Sequence, residues 1–282
     1  MKILFIGWGD NGYKCLKELL NNRFKIVSVI VPKNYDVKGI QQLCNRRNID
    51  LEVYQSSQVL FTKMKLIKPD LMIVASFPKI FPKNIIFYPQ FGSINVHAGE
   101  LPKYRGYHPL NWAIIRDEKQ IGVTVHYLDE GMDSGDILLQ KTIPLSNYDD
   151  INTVKKALVK LGAQLLVQVV KKISKVKKRL KGKKQNENNA TYAPKRNKED
   201  GKIIWENNAR EIFNLVRALK SPYPNTFAFN RKKERVEFQE SYLSNKVGEV
   251  LAKVKGYYLI SVGDGVILLK TKKKLSIEEI LF

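Results

Sequence analysis

The sequence predicts an α/β protein. A Rossmann-like, mostly parallel sheet forms an N-terminal catalytic domain, and a small β-rich, barrel-like C-terminal domain follows. Three observations predict it. Apolar runs rich in Ile and Val alternate with helix-like stretches through the first half of the chain. A polar Gly/Asn/Lys-rich segment then interrupts the pattern. Beyond it, short strand-like pieces with turn signals replace the alternation.

The expected strands of the first domain are 2–6, 25–31, 71–76, 92–97 and 122–128. Helix-like stretches such as NGYKCLKELLNN and GIQQLCNRRN lie between them. Continuous apolar strands separated by helices argue a parallel sheet covered on both faces. Residues 150–180 suggest one long amphipathic helix, with Asp149 and Asp150 at its N-terminus and lysines crowding its end, as the helix dipole favours. The expected boundaries are 1–182 for the catalytic domain, 183–202 for the linker and 203–282 for the C-terminal domain. In the last, NNAREIFNLVRALKS reads as a helix that stops before Pro222. NTFAFN, RVEFQES, GEVLAKV, YYLISV and GVILLKT read as short strands of a small antiparallel barrel or curled sheet.

At 282 residues with 44% hydrophobic content, the chain has the composition of a soluble globular protein. No stretch is long and apolar enough for a membrane helix, and the strand that begins at residue 2 does not read as a signal peptide. Cys15 and Cys44 read as reduced thiols of a cytoplasmic protein. Two cysteines and three scattered histidines do not make a zinc ligand set, so no metal is expected. The net charge of +22 raises the question of nucleic acid. Nine basic residues and no acids fall within 171–184. Solvated lysine faces account for this more simply than an RNA-binding surface.

The first strand runs into Gly7-Trp-Gly9-Asp-Asn-Gly12, the glycine spacing of a dinucleotide turn. Such a site needs an acid at the end of the second strand for the ribose hydroxyls, and Pro32 and Lys33 stand there instead. Asp10 inside the turn would repel a pyrophosphate. The glycines therefore read as a tight strand-to-helix turn at the carboxyl edge of the sheet.

Residues 92–136 carry the chemistry. Asn95 and His97 are two apart on a strand, so both project from one face, at the strand's carboxyl end. A loop dense in acids and glycine follows the next strand, from Asp129 to Asp136. A histidine with a carboxylate in reach is a general acid/base pair. A neighbouring Asn amide can donate to developing charge on a carbonyl oxygen. With no Ser or Cys nucleophile beside them, these groups suit direct acyl transfer to a nucleophile that the substrate brings itself. His126 reads as structural because it sits mid-strand. His108 reads as helping to start a helix.

The ordered motifs Asn95-Val-His97, Leu101-Pro102-Lys-Tyr-Arg105-Gly106 and Gly122-Val-Thr124-Val-His126-Tyr-Leu-Asp129-Glu-Gly131-Met-Asp133-Ser-Gly135 resemble the signature of the formyltetrahydrofolate-dependent N-formyltransferases. The His97-to-Asp133 spacing of 36 residues matches that family. The stretch from TYAPKR to NTFAF is similar to the linker and second domain of its methionyl-tRNA and amino-sugar branches, and the likeness weakens after residue 230.

This resemblance implies the following roles. Asn95 would stabilise the oxyanion, His97 would shuttle the proton, and Asp133 would hold His97. The co-substrate would be 10-formyltetrahydrofolate, lying against Lys79, Ile80 and Phe81 and against Asp129, Glu130, Gly131, Met132 and Asp133. Trp8, Asp10, Tyr104, Arg105, Tyr107 and Tyr223 would line the acceptor cleft. Some sugar-type relatives carry Arg where Tyr107 stands here.

Three acceptors compete. Asp10 opposes the bare phosphate of a glycinamide ribonucleotide. The tRNA enzymes carry a long basic insertion after the second strand, whereas this chain moves from VIVPKNYD straight to helix. An amino-sugar enzyme fits the Asp10–Gly12 turn and the Pro222-Tyr223-Pro224 element. The sequence is therefore read as an enzyme that formylates a nucleotide-linked (dTDP-, UDP- or GDP-) amino sugar for surface polysaccharide synthesis. A methionyl-tRNA formyltransferase, with tRNA as partner, is the alternative. A basic nucleic-acid binder without catalysis is the reading from a different class. A homodimer is left open.

Overall fold

The computed structural model describes residues 1–230, 232–243, 257–262 and 265–272. The chain divides into two compact units. The first comprises 1–106, 122–143 and 156–192, and the second comprises 107–121, 144–155 and 193–282.

The first unit is built on alternating strands and helices. In chain order these are β1 (Lys2–Gly7), α1 (Gly9–Asn21), β2 (Lys25–Val31), α2 (Lys38–Arg47), β3 (Leu51–Val53), α3 (Ser57–Ile67), β4 (Leu71–Ala75), α4 (Lys83–Ile86), β5 (Ser93–His97) and β6 (Arg105–Gly106). Next come α5 (Pro109–Ile115), which clusters with the second unit, then β7 (Gln120–Tyr127), β8 (Ile137–Pro144), the long helix α6 (Ile151–Val176) and β9 (Tyr192–Ala193). Seven strands form one sheet in the order β3-β2-β1-β4-β5-β7-β8. The first five of that order are parallel, and β7 pairs antiparallel with β5. The sheet is thus mostly parallel, as the alternating pattern predicts, with its antiparallel turn at the strand that carries His126.

The central strands are apolar throughout because both faces are covered. Ile3, Leu4, Phe5 and Ile6 of β1 and Leu71, Met72 and Ile73 of β4 are fully buried. Gly7 and Gly12 are required by close approach. A Cβ on Gly7 would lie 2.5 Å from the Ala75 carbonyl oxygen, and one on Gly12 would lie 3.0 Å from the Gly7 backbone. The glycine spacing therefore lets α1 sit tightly on β1 and β4.

Asp150 starts α6. Its Oδ1 accepts the N–H groups of Asn152 and Thr153 at 2.9 and 3.0 Å.

The second unit contains α7 (Ala209–Ala218), β10 (Thr226–Phe229), β11 (Arg235–Phe238), β12 (Glu240–Leu243), β13 (Tyr257–Val262) and β14 (Gly265–Lys270). Asn208 and Glu211 close a capping box at the start of α7. Among the described residues the strands form an antiparallel β10-β11 pair and a three-stranded β12-β14-β13 sheet. The expected strand GEVLAKV lies outside the described residues. Ile212, Phe213 and Val216 of α7 pack with Ala228, Val236, Phe238, Ile267 and Leu269 into a small core. Among the described residues no helix is long and apolar enough to cross a membrane.

Candidate active site

Two backbone features assemble the site. In the antiparallel β5–β7 pair, Asn95 stands opposite His126, and His97 stands opposite Thr124. Directly opposed residues share a face, so the i, i+2 pairs of the two strands form one patch. The loop after β7 then folds back over it. Asp133 adopts a left-handed backbone (φ 54°), a conformation that Asp tolerates better than most residues.

Four side chains meet there. His97 is buried, with Nδ1 3.4 Å from Asp133 Oδ2 and Nε2 2.8 Å from the Tyr104 carbonyl oxygen. A carbonyl only accepts, so Nε2 bears a hydrogen and Nδ1 faces the carboxylate. His126 is fully buried and holds Nδ1 2.7 Å from the Tyr127 carbonyl oxygen. That contact places its hydrogen on Nδ1 and leaves Nε2 as an acceptor. The Asn95 amide, half-buried, donates to His126 Nε2 at 3.2 Å and to Asp133 Oδ1 at 3.4 Å. The Gly106 N–H donates to Asp133 Oδ2 at 2.9 Å. Burial pushes the Asp133 carboxyl up, but His97 and the Gly106 N–H outweigh it and hold the group well below the usual carboxylate range.

The structure thus brings Asn95, His97 and Asp133 together. It adds His126, which a mid-strand position alone made look structural. The available signal was the paired spacing: Asn95-x-His97 and Thr124-x-His126 can share one face, and the antiparallel pairing sets Asn95 opposite His126.

The two stretches expected to meet the folate also converge. Lys83, at the start of α4, pairs with Glu130 at 2.5 Å. Leu128 packs on the same apolar cluster as Phe81. Phe77 and Phe81 stack with ring centroids 5.4 Å apart. Lys79, Ile80 and Glu130 are exposed and Met132 is half-buried, whereas Phe81 is buried. Asp129 serves its own turn, accepting from the Gly131 N–H at 3.2 Å and the Ser134 hydroxyl at 2.7 Å. Exposed residues thus lie beside stacked aromatic rings in this region.

The residues expected in the acceptor cleft divide between the two units. Trp8 is half-buried against Tyr35, with ring centroids 4.2 Å apart, and Asp10 is exposed at the start of α1. The neighbouring Asn11, which the sequence did not single out, joins this turn to the ends of β4 and β5 through Ser76 Oγ (3.2 Å) and the Val96 carbonyl (3.5 Å). The Tyr104 ring is buried, and its backbone carbonyl serves His97. Tyr107 is exposed and Tyr223 half-buried in the second unit, where Tyr223 meets the edge of His108. Burial, with Arg196 and Lys195, lowers the His108 pKa.

Arg105 requires a correction. It is 1% exposed, and its five N–H groups go to Gln185, Glu187 and Tyr192, so it is not free to line a cleft.

Residues 1–170 match the formyl transferase family model, and residues 195–281 match the model of the formyl transferase C-terminal domain. The chain is 33% identical to a methionyl-tRNA formyltransferase of Caldanaerobacter subterraneus, over 100% of this chain and 96% of that protein. It is 34% identical to one of Thermodesulfovibrio yellowstonii, over 94% and 88%. Among solved structures, the N-formyltransferase of Helicobacter canadensis, in complex with folinic acid and dTDP-3-aminofucose, superposes with a TM-score of 0.75 at 24% identity, covering 96% of this chain and 99% of that one. At that identity the likeness shows the fold alone.

The family match and the full-length relatives define an enzyme that moves a one-carbon acyl group. The chain belongs to the formyl transferase family. The amino-sugar reading is corrected: relatives matched over almost their full length are methionyl-tRNA formyltransferases. The features that favoured a sugar, the Asp10 turn and Pro222-Tyr223-Pro224, are local. They carry less weight than identity spread along the whole chain.

Proposed function

We propose that this protein formylates the amino group of methionyl-tRNA, with a formyltetrahydrofolate as donor. The supporting observation is the full-length similarity to methionyl-tRNA formyltransferases, joined to a site in which Asn95, His97 and Asp133 face one another. The donor supplies an activated formyl carbon. Asn95 presents amide N–H groups to the oxygen on which negative charge develops. Its 3.4 Å contact to Asp133 is the longer of its two, and so the one that oxygen competes for most easily. His97 takes the proton that the attacking amine must lose and returns it to the departing nitrogen of the donor. Asp133 stays ionised and faces the ring as it gains charge. The net charge of +22 suits a polyanionic acceptor.

The purified chain, offered formyltetrahydrofolate and methionyl-tRNA, should yield formylmethionyl-tRNA. His97→Ala should abolish the product while the fold persists. Product formation at the wild-type rate in that variant would refute the assignment.

A further inference from the structure

Asp133 is held from behind by a residue outside the family-like motifs. We infer that Gln185, in the segment after α6, is a positioning residue for Asp133. This rests on the reading of Asp133 as the carboxylate partner of His97.

The Gln185 amide is fully committed. Its Nε2 donates to the backbone carbonyls of Asp133 and Gly135, each at 2.8 Å. Its Oε1 accepts from Arg105 Nε at 3.1 Å and Nη2 at 2.9 Å. Arg105 is in turn fixed by a two-pronged pair with Glu187, at 2.7 and 2.8 Å, and by the Tyr192 hydroxyl at 3.1 Å. The Glu187 hydrogen bonds raise the Arg105 pKa above its already high value.

The arrangement closes a ring. Arg105 precedes Gly106, whose N–H holds Asp133 Oδ2 at 2.9 Å. Gln185 grips the backbone of the same aspartate. Side chain and main chain of Asp133 are therefore located by adjacent parts of one polar network. An amide suits this position because it must give hydrogens on one side and take them on the other. A carboxylate of the same shape would keep the Arg105 contacts but set oxygen against the two carbonyls. The left-handed backbone at Asp133 makes such an external hold more important, since that conformation persists only where surrounding contacts determine it.

The test compares Gln185→Glu, Gln185→Met and Asp133→Asn in steady-state formyl transfer across pH. Gln185→Glu and Gln185→Met should remain folded and lower kcat by roughly 10- to 100-fold. KM for donor and acceptor should change by less than about threefold, because the Gln185 amide is committed to Asp133, Gly135 and Arg105. The acidic limb of the kcat–pH profile should move, which a loss of stability alone would not cause. Gln185→Met keeps the test decisive if Gln185→Glu does not fold. Wild-type kcat and pH profile in a folded Gln185 variant, with Asp133→Asn inactive, would overturn this inference alone. An active Asp133→Asn would instead overturn the role of Asp133 on which it rests.

Discussion

Asn95 and His126 stand directly opposite each other on antiparallel strands, with Asn95 Nδ2 3.2 Å from His126 Nε2. The Tyr127 carbonyl fixes the His126 tautomer, and His126 then fixes which way the Asn95 amide points. His126→Ala should therefore lower kcat by roughly tenfold or more through Asn95. His126→Gln, which can still accept from Asn95, should recover part of it. Steady-state kinetics on the two variants check this, and equal losses in both would argue against an orienting role.

Gly135 lets the Asp133 loop approach the strand. A Cβ there would lie 1.9 Å from the Tyr127 carbonyl oxygen, the same oxygen that His126 addresses. Gly135→Ala should destabilise the fold by about 1–3 kcal/mol, read by urea denaturation, and should also depress activity. An unchanged midpoint would show that the loop shifts freely.

Acid should unfold the protein through a defined set of carboxylates. Burial pushes Asp133, Asp117, Asp149 and Asp150 up, yet their partners outweigh it and leave all four below the ordinary value of 3.8. The partners are His97 and the Gly106 N–H for Asp133, Arg210 for Asp117, Ser146 for Asp149, and the Thr153 N–H and Lys220 for Asp150. A lowered folded-state pKa gives stability that is complete above the unfolded value and lost as the pH falls through the folded one. Stability should hold from neutral pH down to about 5 and decline below about 4. Asp117→Asn should flatten that decline, measured by thermal unfolding at a series of pH values.

The cysteines should be chemically silent. Burial pushes the Cys15 thiol up to about 12 and the Cys44 thiol up to about 11. An aromatic disulfide reagent at pH 8 should label neither thiol in the native protein and both after denaturation. Fast native labelling would contradict the packing of α1 and α2.

The parallel half of the sheet was legible because strands buried on both faces leave long apolar runs, such as KILFI and LMIVA. Asn95, His97 and Asp133 were legible because their motifs are dense within 92–136. His126 was not, since its partnership depends on β7 running antiparallel to β5, and periodicity does not report strand direction. Arg105 was misplaced for a related reason. Its partners Gln185 and Glu187 lie 80 and 82 residues away, and only the fold brings them to it. The acceptor was not legible because the Asp10 turn, the Pro-Tyr-Pro element and the lack of a basic insertion after the second strand are local features, whereas the likeness to methionyl-tRNA formyltransferases runs along the whole chain.

The central claim is that the Asn95–His97–Asp133 cluster transfers formyl to methionyl-tRNA, and one measurement tests it most directly. Radiolabelled formyltetrahydrofolate is mixed with methionyl-tRNA and either wild-type protein or Asp133→Asn, and formylmethionyl-tRNA is counted over time. Rapid labelling by the wild type, with a loss of at least about 100-fold in folded Asp133→Asn, is the predicted result. Absence of label on methionyl-tRNA with the wild type, or equal rates for the two proteins, would contradict it.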